Sequence, residues 1–360
     1  MKKHGKLFVP LIALAATALV AGAVLIVFFP DLFRRSPALK RYNASFLELF
    51  DTVSVIGGYD SSKEAFTEFS QEAHDSLLVY HNLYDIYHEN NVEASVKTIN
   101  DNAGIAPVQV DSRIIDLLKL SKELYHLTDG KTNVAFGAVL SIWHTYREVG
   151  IDDPENASLP PMDELREAAK HTSIDNMIID EAAGTVYLAD PDMSLDVGAI
   201  AKGYATEEEA RIIEQSGRTN VLLSIGGNVR AIGAKPDGSP WQVGIENPDK
   251  ESEQKSLFTL NIDGLSVVTS GAYNRYYTVD GVVYHHIIDP ETLMPAAYFA
   301  SVVVVSKDSG LADGLSTGLY CMPFDEGMRL VESLDDVDAC WIMNDGTVEM
   351  TDGFRALIKE

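Results

Sequence analysis

The sequence predicts an α+β fold with a largely antiparallel sheet. Of its 360 residues, 46% are hydrophobic, which is enough to bury a core and argues against a disordered or fibrous protein. Strand-like runs are interspersed with segments of helical spacing, without a regular strand–helix–strand rhythm. Tight turns such as Asp280-Gly281 join neighbouring strands as hairpins. This combination favours α+β over a parallel α/β arrangement.

The elements of the first half are predicted from spacing and turn residues. Phe46–Ile56 alternates in part and is predicted to be a strand, whereas Ser61–Tyr84 has helical spacing. A second helix begins at Asp111, carries its apolar residues near one stripe and ends before Gly130. Ile151–Pro161, with its acidic residues and prolines, is predicted to be a surface loop.

The second half is predicted to be richer in strands. Met177–Asp180 and Thr185–Ala189 flank Gly184 as a hairpin. A glycine-bearing loop at Ser194–Tyr204 then opens a helix that runs to about Gln215. Further strands are predicted at Asn220–Ile225, Trp241–Glu246, Ser266–Thr269, Tyr276–Val279, Val282–Ile288 and Ser301–Ser306.

Charge and cysteine content exclude several classes of function. Lys and Arg number 28 and Asp and Glu 54, so the formal net charge is 28 − 54 = −26, and such a surface repels nucleic acid. Cys321 and Cys340 are too few for a disulfide framework or a cysteine-based zinc or iron–sulfur site. We expect two small buried hydrophobic residues, with a single bridge between them as the alternative.

The amino end is predicted to be a membrane anchor. Residues 7–29 carry no charge and, as a helix, would extend about 34 Å against a hydrocarbon core of about 30 Å. Three lysines precede them, so we expect residues 1–35 to anchor an extracytoplasmic domain, residues 36–360, at the cell membrane by a single pass. A cleaved signal peptide is the alternative, although the apolar run continues past the small residues Ala21–Ala23.

Two glycine-bearing segments are candidates for binding an anion or a ligand. In the first, a strand that ends in Asp196 turns through Gly198 into a helix, so Lys202 could meet an anion there. A plain strand-to-helix turn with solvated charges is the alternative, because no P-loop or dinucleotide pattern is present. In the second, the pair Gly226-Gly227 ends a strand, where it suits either a close ligand or a bulge.

Two further segments carry histidines and a carboxylate–hydroxyl pair. His285 and His286 are adjacent on a strand, so only one of them can face a given site. Asp313 and Thr317 are four residues apart and share a helix face, and their oxygen atoms suit Mg²⁺ rather than zinc. The alternative for Asp313 is a charge at the start of a helix. The two glycines of this segment suggest that another group approaches closely.

In this order, the segments resemble the ApbE family of FAD:protein FMN transferases. The resemblance covers about residues 43–359 and rests on the motifs DVGAIAKGYA, LLSIGGNVRAIG, VVTSGAYNRYY, YHHIIDPETLMPA and ADGLSTGL. It implies a T-fold-like α+β domain that binds FAD with Mg²⁺ and cleaves the FAD diphosphate. FMN would be attached to a Thr or Ser hydroxyl of an acceptor flavoprotein, and AMP would leave. Members of the family are commonly exported and anchored.

The resemblance also implies the metal ligands and the catalytic residues. The Ala199 carbonyl, the Asp313 carboxylate and the Thr317 hydroxyl match the metal-binding positions. His286 matches a histidine beside the flavin phosphates, and it is the candidate for accepting the proton of the attacking alcohol. Asp313 is the alternative proton acceptor.

Flavin contacts follow from the same resemblance. Asp196 and Lys202 match FAD-contacting positions, and Ile287 is expected to pack near the cofactor. Asn133 stands in a cofactor-contacting stretch where the family often has Asp. Leu293 replaces the usual glycine of a DPxTGxP turn.

Two other functions remain open at this point. In a Mg²⁺-dependent FAD pyrophosphatase, water would replace the acceptor hydroxyl and the products would be FMN and AMP. A non-catalytic, membrane-anchored flavin-binding protein would leave FAD intact. The chain carries no trusted acceptor segment of the type Asp-x-x-(Ser/Thr)-Gly-Ala-(Thr/Ser), so we do not expect it to modify itself.

Overall fold

An eight-stranded sheet forms the centre of the fold. The computed structural model describes residues 38–272 and 275–360, and residues 41–360 form one compact unit. The predicted membrane span, residues 7–29, lies outside the described residues. Within the described ranges, no helix combines the length and the apolar character needed to cross a bilayer.

Fifteen strands occur in the described residues. They are β1 (Lys40–Phe46), β2 (Ser54–Asp60), β3 (Val108–Gln109), β4 (Met177–Asp180), β5 (Thr185–Leu188), β6 (Val221–Ile225), β7 (Asn228–Ile232), β8 (Trp241–Glu246), β9 (Ser256–Ile262), β10 (Ser266–Gly271), β11 (Tyr276–Val279), β12 (Val282–His285), β13 (Ser301–Ser306), β14 (Val337–Ile342) and β15 (Val348–Met350).

Nine α-helices occur in the same part of the chain. They are α1 (Lys63–Tyr84), α2 (Val96–Asp101), α3 (Ser112–Leu127), α4 (Gly137–Asp152), α5 (Met162–Ala168), α6 (Ala201–Gln215), α7 (Ser309–Tyr320), α8 (Phe324–Glu332) and α9 (Asp352–Ala356).

The strands form one large and three small sheets. The large sheet has the order β1-β2-β6-β7-β10-β13-β14-β15, and the small ones are β3-β5-β4, β8-β9 and β11-β12. All pairs with a defined register in the described residues are antiparallel. The predicted α+β class with a largely antiparallel sheet is therefore confirmed.

The two predicted helices that have both an N-cap residue and an apolar face, α1 and α3, are confirmed. The side chain of Ser62 accepts a hydrogen bond from Ala65 N at the start of α1, and Asp111 caps α3 by accepting from Arg113 N. Both helices bury one face, as their spacing predicts. Gly130 lies beyond α3 with a φ of +80°, a conformation that favours glycine.

Two strand predictions were wrong in extent. Phe46–Ile56 is not one strand, because a 3₁₀ turn at Leu49–Asp51 separates β1 from β2 and Phe50 takes a φ of 53°. The strand predicted at Val282–Ile288 ends at His285, and Ile288 forms only an isolated bridge to Pro295. At the second break the apolar pattern continues because Ile287 and Ile288 remain buried after the pairing has stopped, whereas Leu47 and Val53 at the first break are exposed.

Helix α7 is the buried centre of the molecule. It packs against β10 and β13 on one side and against α6 and α3 on the others. A Cβ at Gly314 would lie 2.3 Å from Leu124 Cδ1, and one at Gly318 would lie 2.7 Å from Thr128 Cγ2. The close approach expected at these glycines is thus made by α3 and by the residue that directly follows it.

The cysteine prediction is also confirmed. Cys321 and Cys340 are both buried and both free. Burial raises the pKa of the Cys340 thiol to about 12. Each thiol therefore behaves as a small core residue.

Candidate functional site

The site is centred on the crossing of α6 and α7. The backbone N–H of Gly203, in the first turn of α6, donates to Oδ2 of Asp313 in α7 over 2.7 Å. A Cβ at residue 203 would lie 2.3 Å from the Ser309 carbonyl oxygen and 2.4 Å from Asp313 Cβ, so the approach requires glycine. A carboxylate from one helix thereby caps the amino end of another. Two motifs far apart in sequence meet at this point.

Asp313 is a buried carboxyl group with partial charge compensation. Only 5% of the residue is exposed, and burial raises its pKa. Lys202, whose Nζ lies 3.8 Å from Oδ2, and the N–H of Gly203 act in the opposite direction. Asn228 stands beside the carboxylate and also lowers its pKa, but its buried Nδ2 has no hydrogen-bond partner within 3.5 Å in the described residues.

The predicted metal ligands provide an all-oxygen donor set near this carboxylate. Because Gly203 N donates to Asp313 instead of to the carbonyl four residues earlier, no hydrogen bond from the described residues reaches the Ala199 carbonyl. Thr317 lies one turn beyond Asp313 in α7, with its Oγ1 3.5 Å from Ser270 Oγ. A free carbonyl, a buried carboxylate and a hydroxyl suit Mg²⁺, so the residues present fit the ion.

Asp196 lies on the loop that leads into α6, and Lys202 lies in the first turn of that helix. Asp196 Oδ1 accepts from Gly198 N over 2.8 Å, and Lys202 Nζ lies 3.3 Å from the Gly198 carbonyl oxygen. Burial raises the pKa of Asp196, whereas the N–H of Gly198 and the charges of His144, Lys202 and Arg147 lower it. Of these two residues, Lys202 faces Asp313, with its Nζ 3.8 Å from Oδ2.

The structure separates the two adjacent histidines. His285 is buried, its Nε2 lies 2.8 Å from the Ala296 carbonyl oxygen, and its Nδ1 accepts from Ile287 N over 3.2 Å. Both of its nitrogen atoms are therefore used within the core. His286 is half-buried, with Nδ1 3.3 Å from the Arg275 carbonyl oxygen.

Burial and the neighbouring positive charges keep His286 neutral. Burial, followed by the charges of Arg275 and Arg147, with smaller effects of His285 and Lys202, lowers its pKa to about 3. A neutral imidazole can accept a proton. Of the two histidines, only His286 is therefore available to the predicted site.

The other two residues predicted to contact the flavin, Asn133 and Ile287, make contacts within the protein itself. Asn133 Oδ1 accepts from Ala135 N, and its Nδ2 donates to the Thr172 carbonyl oxygen. The Ile287 side chain is 7% exposed and belongs to the main core cluster. The structure therefore does not bring these two side chains to Asp313 by any direct contact among the described residues.

Leu293 has a backbone conformation that glycine adopts more easily, which agrees with the glycine expected at this turn. Its φ is +63°, in the left-handed region that glycine adopts most easily. The Leu293 carbonyl accepts from Trp143 Nε1 over 3.0 Å, and its side chain is buried. Packing therefore keeps a strained leucine in place at this position.

No sequence pattern pointed to three residues that border the site. Arg147 and His144 lie on α4, and Tyr87 lies in the segment after α1. The Tyr87 and His144 rings stack with centroids 5.2 Å apart, and Tyr87 is 50% exposed. Helical spacing of His144 and Arg147 was the available signal, but it was not distinguishable from an ordinary polar helix face.

The match to a known family covers most of the chain. The model of the ApbE family matches residues 52–341.

The chain belongs to the ApbE family.

Relatives in this family carry a uniform name. A protein of Klebsiella pneumoniae (strain 342) is 32% identical over 259 residues, which are 72% of this chain and 78% of that protein. A protein of Treponema pallidum (strain Nichols) is 33% identical over 280 residues, 73% of this chain and 75% of that protein. Both are named FAD:protein FMN transferase.

A solved family structure has the same fold. The ApbE protein of Thermotoga maritima superimposes with a TM-score of 0.77 at 28% identity, covering 89% of this chain and all of that one. The fold that the sequence resemblance implied is therefore the fold of the family.

Proposed function

We propose that this protein transfers FMN from FAD to a Thr or Ser hydroxyl of an acceptor flavoprotein and releases AMP. The observation that carries the proposal is the buried Asp313, held by Gly203 and faced by Lys202, beside a carbonyl that no described residue engages. Family membership supports it, since the relatives from Klebsiella pneumoniae and Treponema pallidum are named for this reaction.

The reaction exchanges one phosphorus–oxygen bond for another. The alcohol oxygen of the acceptor attacks the phosphorus of the FMN half, and the bond from that phosphorus to the bridging oxygen breaks. AMP leaves with the bridging oxygen, and the alcohol loses its proton. Because little covalent chemistry is required of the protein, positioning and charge stabilisation dominate the catalysis.

We propose that His286 accepts the proton of the attacking alcohol. Its imidazole is neutral in the free protein, because burial and the nearby guanidinium groups lower its pKa to about 3. A bound diphosphate would offset those positive charges and raise the pKa toward the range useful for a general base. Asp313 remains the alternative acceptor of this proton.

We further propose that Ala199, Asp313 and Thr317 hold Mg²⁺. When bound, the ion would neutralise charge on the diphosphate and favour departure of AMP. Lys202 serves the same diphosphate from the first turn of α6, and Gly203 holds the Asp313 carboxylate in position. Asp196 would accept hydrogen bonds from the flavin half.

The test is a mass measurement on an acceptor fragment. The protein is incubated with FAD, Mg²⁺ and a fragment that contains an Asp-x-x-(Ser/Thr)-Gly-Ala-(Thr/Ser) segment. We expect the denatured fragment to gain the mass of one FMN less one water, and we expect EDTA to abolish the gain. Free FMN with an unmodified fragment would instead indicate a pyrophosphatase, and intact FAD would indicate a binding protein.

A matched variant pair controls the assay. Asp313→Ala should abolish the transfer, whereas Asp163→Ala, at a carboxylate whose side chain is 97% exposed on α5, should leave it unchanged. Loss of activity in both variants would show a nonspecific effect of removing charge.

We also propose that residues 1–35 anchor the protein at the cell membrane, with residues 36–360 extracytoplasmic. The uncharged run at residues 7–29, preceded by lysines, supports this placement. The full chain should stay with membranes after alkaline carbonate extraction, and a chain that begins at residue 36 should not. Release of the full chain by carbonate would contradict the anchor.

A further inference from the structure

Arg147 is a half-buried guanidinium that no carboxylate of the described residues pairs with directly. It lies on α4, and among the described residues its side chain forms no ion pair with a carboxylate. By contrast, Arg113, Arg218 and Arg230 each pair with an Asp or Glu within 3.0 Å. Burial lowers the pKa of Arg147, and the charge of Arg275 lowers it further. Tyr87, Glu148 and Asp196 act on this pKa in the opposite direction. An unpaired, partly desolvated cation is costly unless a ligand compensates it.

A chain of contacts fixes the orientation of this guanidinium. Arg147 Nη2 lies 2.7 Å from His144 Nδ1, and because arginine only donates, Nδ1 must be the acceptor. The other ring nitrogen, Nε2, then carries the proton and faces Glu148 Oε1 at 2.9 Å. Stacking on Tyr87 holds the ring from its face. The guanidinium is therefore positioned before any ligand binds.

The supporting helix is itself fixed against the hairpin that leads to His286. Trp143 of α4 stacks on Tyr284 of β12, with ring centroids 6.4 Å apart. Farther along, a Cβ at Gly150 would lie 2.5 Å from Tyr277 Cδ2 in β11. The position of Arg147 relative to His286 is thus set by packing on both sides of it.

Three cationic side chains act on His286, the residue that the family resemblance puts beside the flavin phosphates. The charges of Arg275, Arg147 and Lys202 all lower the pKa of His286, and those of Lys202 and Arg147 lower the pKa of Asp196. These cations come from three separate segments of a chain with a net charge of −26. Cations gathered from separate segments suit a multiply charged anion.

We propose that Arg147 binds the diphosphate of FAD. Its planar fork can donate two parallel hydrogen bonds to phosphate oxygens, and the Glu148–His144 pair acts as the positioning group behind it. The inference rests on the proposed function, because it takes FAD as the ligand of this site. A contact with the flavin ring is the competing assignment.

The experiment compares ligands that differ in their phosphates. The full chain is titrated in EDTA with FAD and with riboflavin, which lacks phosphate, by flavin fluorescence, and ADP is measured by competition against FAD. Arg147→Ala should weaken FAD and ADP about 10- to 100-fold and change riboflavin less than twofold. Arg147→Lys, which retains the positive charge but not the planar guanidinium, should lose less affinity for FAD and ADP than Arg147→Ala.

Two results would overturn the inference. An equal loss for riboflavin and FAD would assign Arg147 to the flavin ring or to general structure, and unchanged FAD and ADP affinity would remove it from the site. Arg147→Gln, which can still donate to His144, replaces the alanine variant if the latter does not fold. The expected result for Arg147→Gln is the same selective loss of phosphate-containing ligands.

The control and the transfer assay separate this inference from the proposed function. Arg166→Ala, at a side chain 67% exposed on α5, should bind all three ligands as the wild type does. A wild-type chain that binds FAD but transfers no FMN would contradict the proposed function and leave the binding result for Arg147 standing.

Discussion

At the scale of single residues, the two histidines show how environment divides like groups. His285 satisfies both ring nitrogens inside the core, whereas His286 is half-buried among cationic side chains. Their sequence positions differ by one, so the chemistry available to each is set by the face on which it lies.

Substitution of His286 should weaken transfer without abolishing it. Loss of a general base typically lowers a rate by about 10²- to 10⁴-fold, so we expect His286→Ala to transfer FMN in that range. Asp313→Ala should lose more, because it removes the charge held by Gly203 and faced by Lys202. Initial rates of FMN transfer with saturating FAD measure both effects.

An exposed histidine supplies the comparison. His126 lies exposed on α3, and His126→Ala should transfer FMN at the wild-type rate. A wild-type rate for His286→Ala would exclude it as the base, and a near-normal rate for Asp313→Ala with Mg²⁺ present would refute the metal assignment.

At the scale of elements, the α6–α7 crossing contributes both to the stability of the fold and to the position of Asp313 in the site. Gly203→Ala should destabilise the protein by about 1–3 kcal/mol, because the added methyl group meets the Ser309 carbonyl and the Asp313 stem. The free energy of unfolding in urea measures this change. The variant should also lose FMN transfer, since Asp313 must move.

Gly244→Ala is the matched control for this crossing. In β8, the added Cβ would lie 3.1 Å from the hydroxyl of Ser256, a side chain that can rotate away. We expect a small change in unfolding free energy and none in transfer. If Gly203→Ala were as stable and active as Gly244→Ala, the distances between α6 and α7 in solution would be longer than those in the structure.

A second helix feature predicts a dependence of stability on pH. Glu209 in α6 is 2% exposed, and burial raises its pKa to about 7 despite the opposing effect of Ser76. Below about pH 4.5 the group is protonated in both states and costs nothing. As pH rises to about 7, ionisation in the unfolded state alone destabilises the fold, and above pH 7 the cost is constant.

Replacing the Glu209 carboxyl group tests whether its ionisation destabilises the fold. Between pH 5 and pH 8, wild-type unfolding free energy should fall by about 2 kcal/mol more than that of Glu209→Gln, because the amide does not ionise. Urea unfolding at both pH values measures the difference. Parallel curves for the two proteins would mean that Glu209 is hydrated or paired in solution.

At the scale of the whole molecule, an acidic protein must concentrate cations to hold a dinucleotide. The net charge is −26, yet Lys202, Arg147 and Arg275 act together on His286. The eight-stranded sheet and α7 serve as the frame that brings these separate segments to one place.

Ligand binding should therefore stabilise the whole unit. At a free concentration 100 times its Kd, FAD should add about 2.7 kcal/mol to the free energy of unfolding. We expect a higher midpoint of thermal unfolding with FAD and Mg²⁺ than with FAD and EDTA, measured by calorimetry. Riboflavin at the same concentration should raise the midpoint less, and a midpoint unaffected by FAD would exclude the proposed site.

The sequence by itself determined the α+β class, the capped helices α1 and α3, and the motifs that resemble the ApbE family. These features depend on neighbouring residues, such as a cap at Ser62 or a hairpin turn at Asp280-Gly281, so periodicity and turn chemistry are sufficient. The family match to residues 52–341 bears out the resemblance.

Only the tertiary structure decided which side chains share the site. It set His286 apart from His285, assigned the close approach at Gly314 to α3, and brought Arg147 to bear on His286. Each of these outcomes depends on segments that lie far apart in sequence and meet through packing. Local spacing carries no information on such meetings, because the partner's position is set by the rest of the fold.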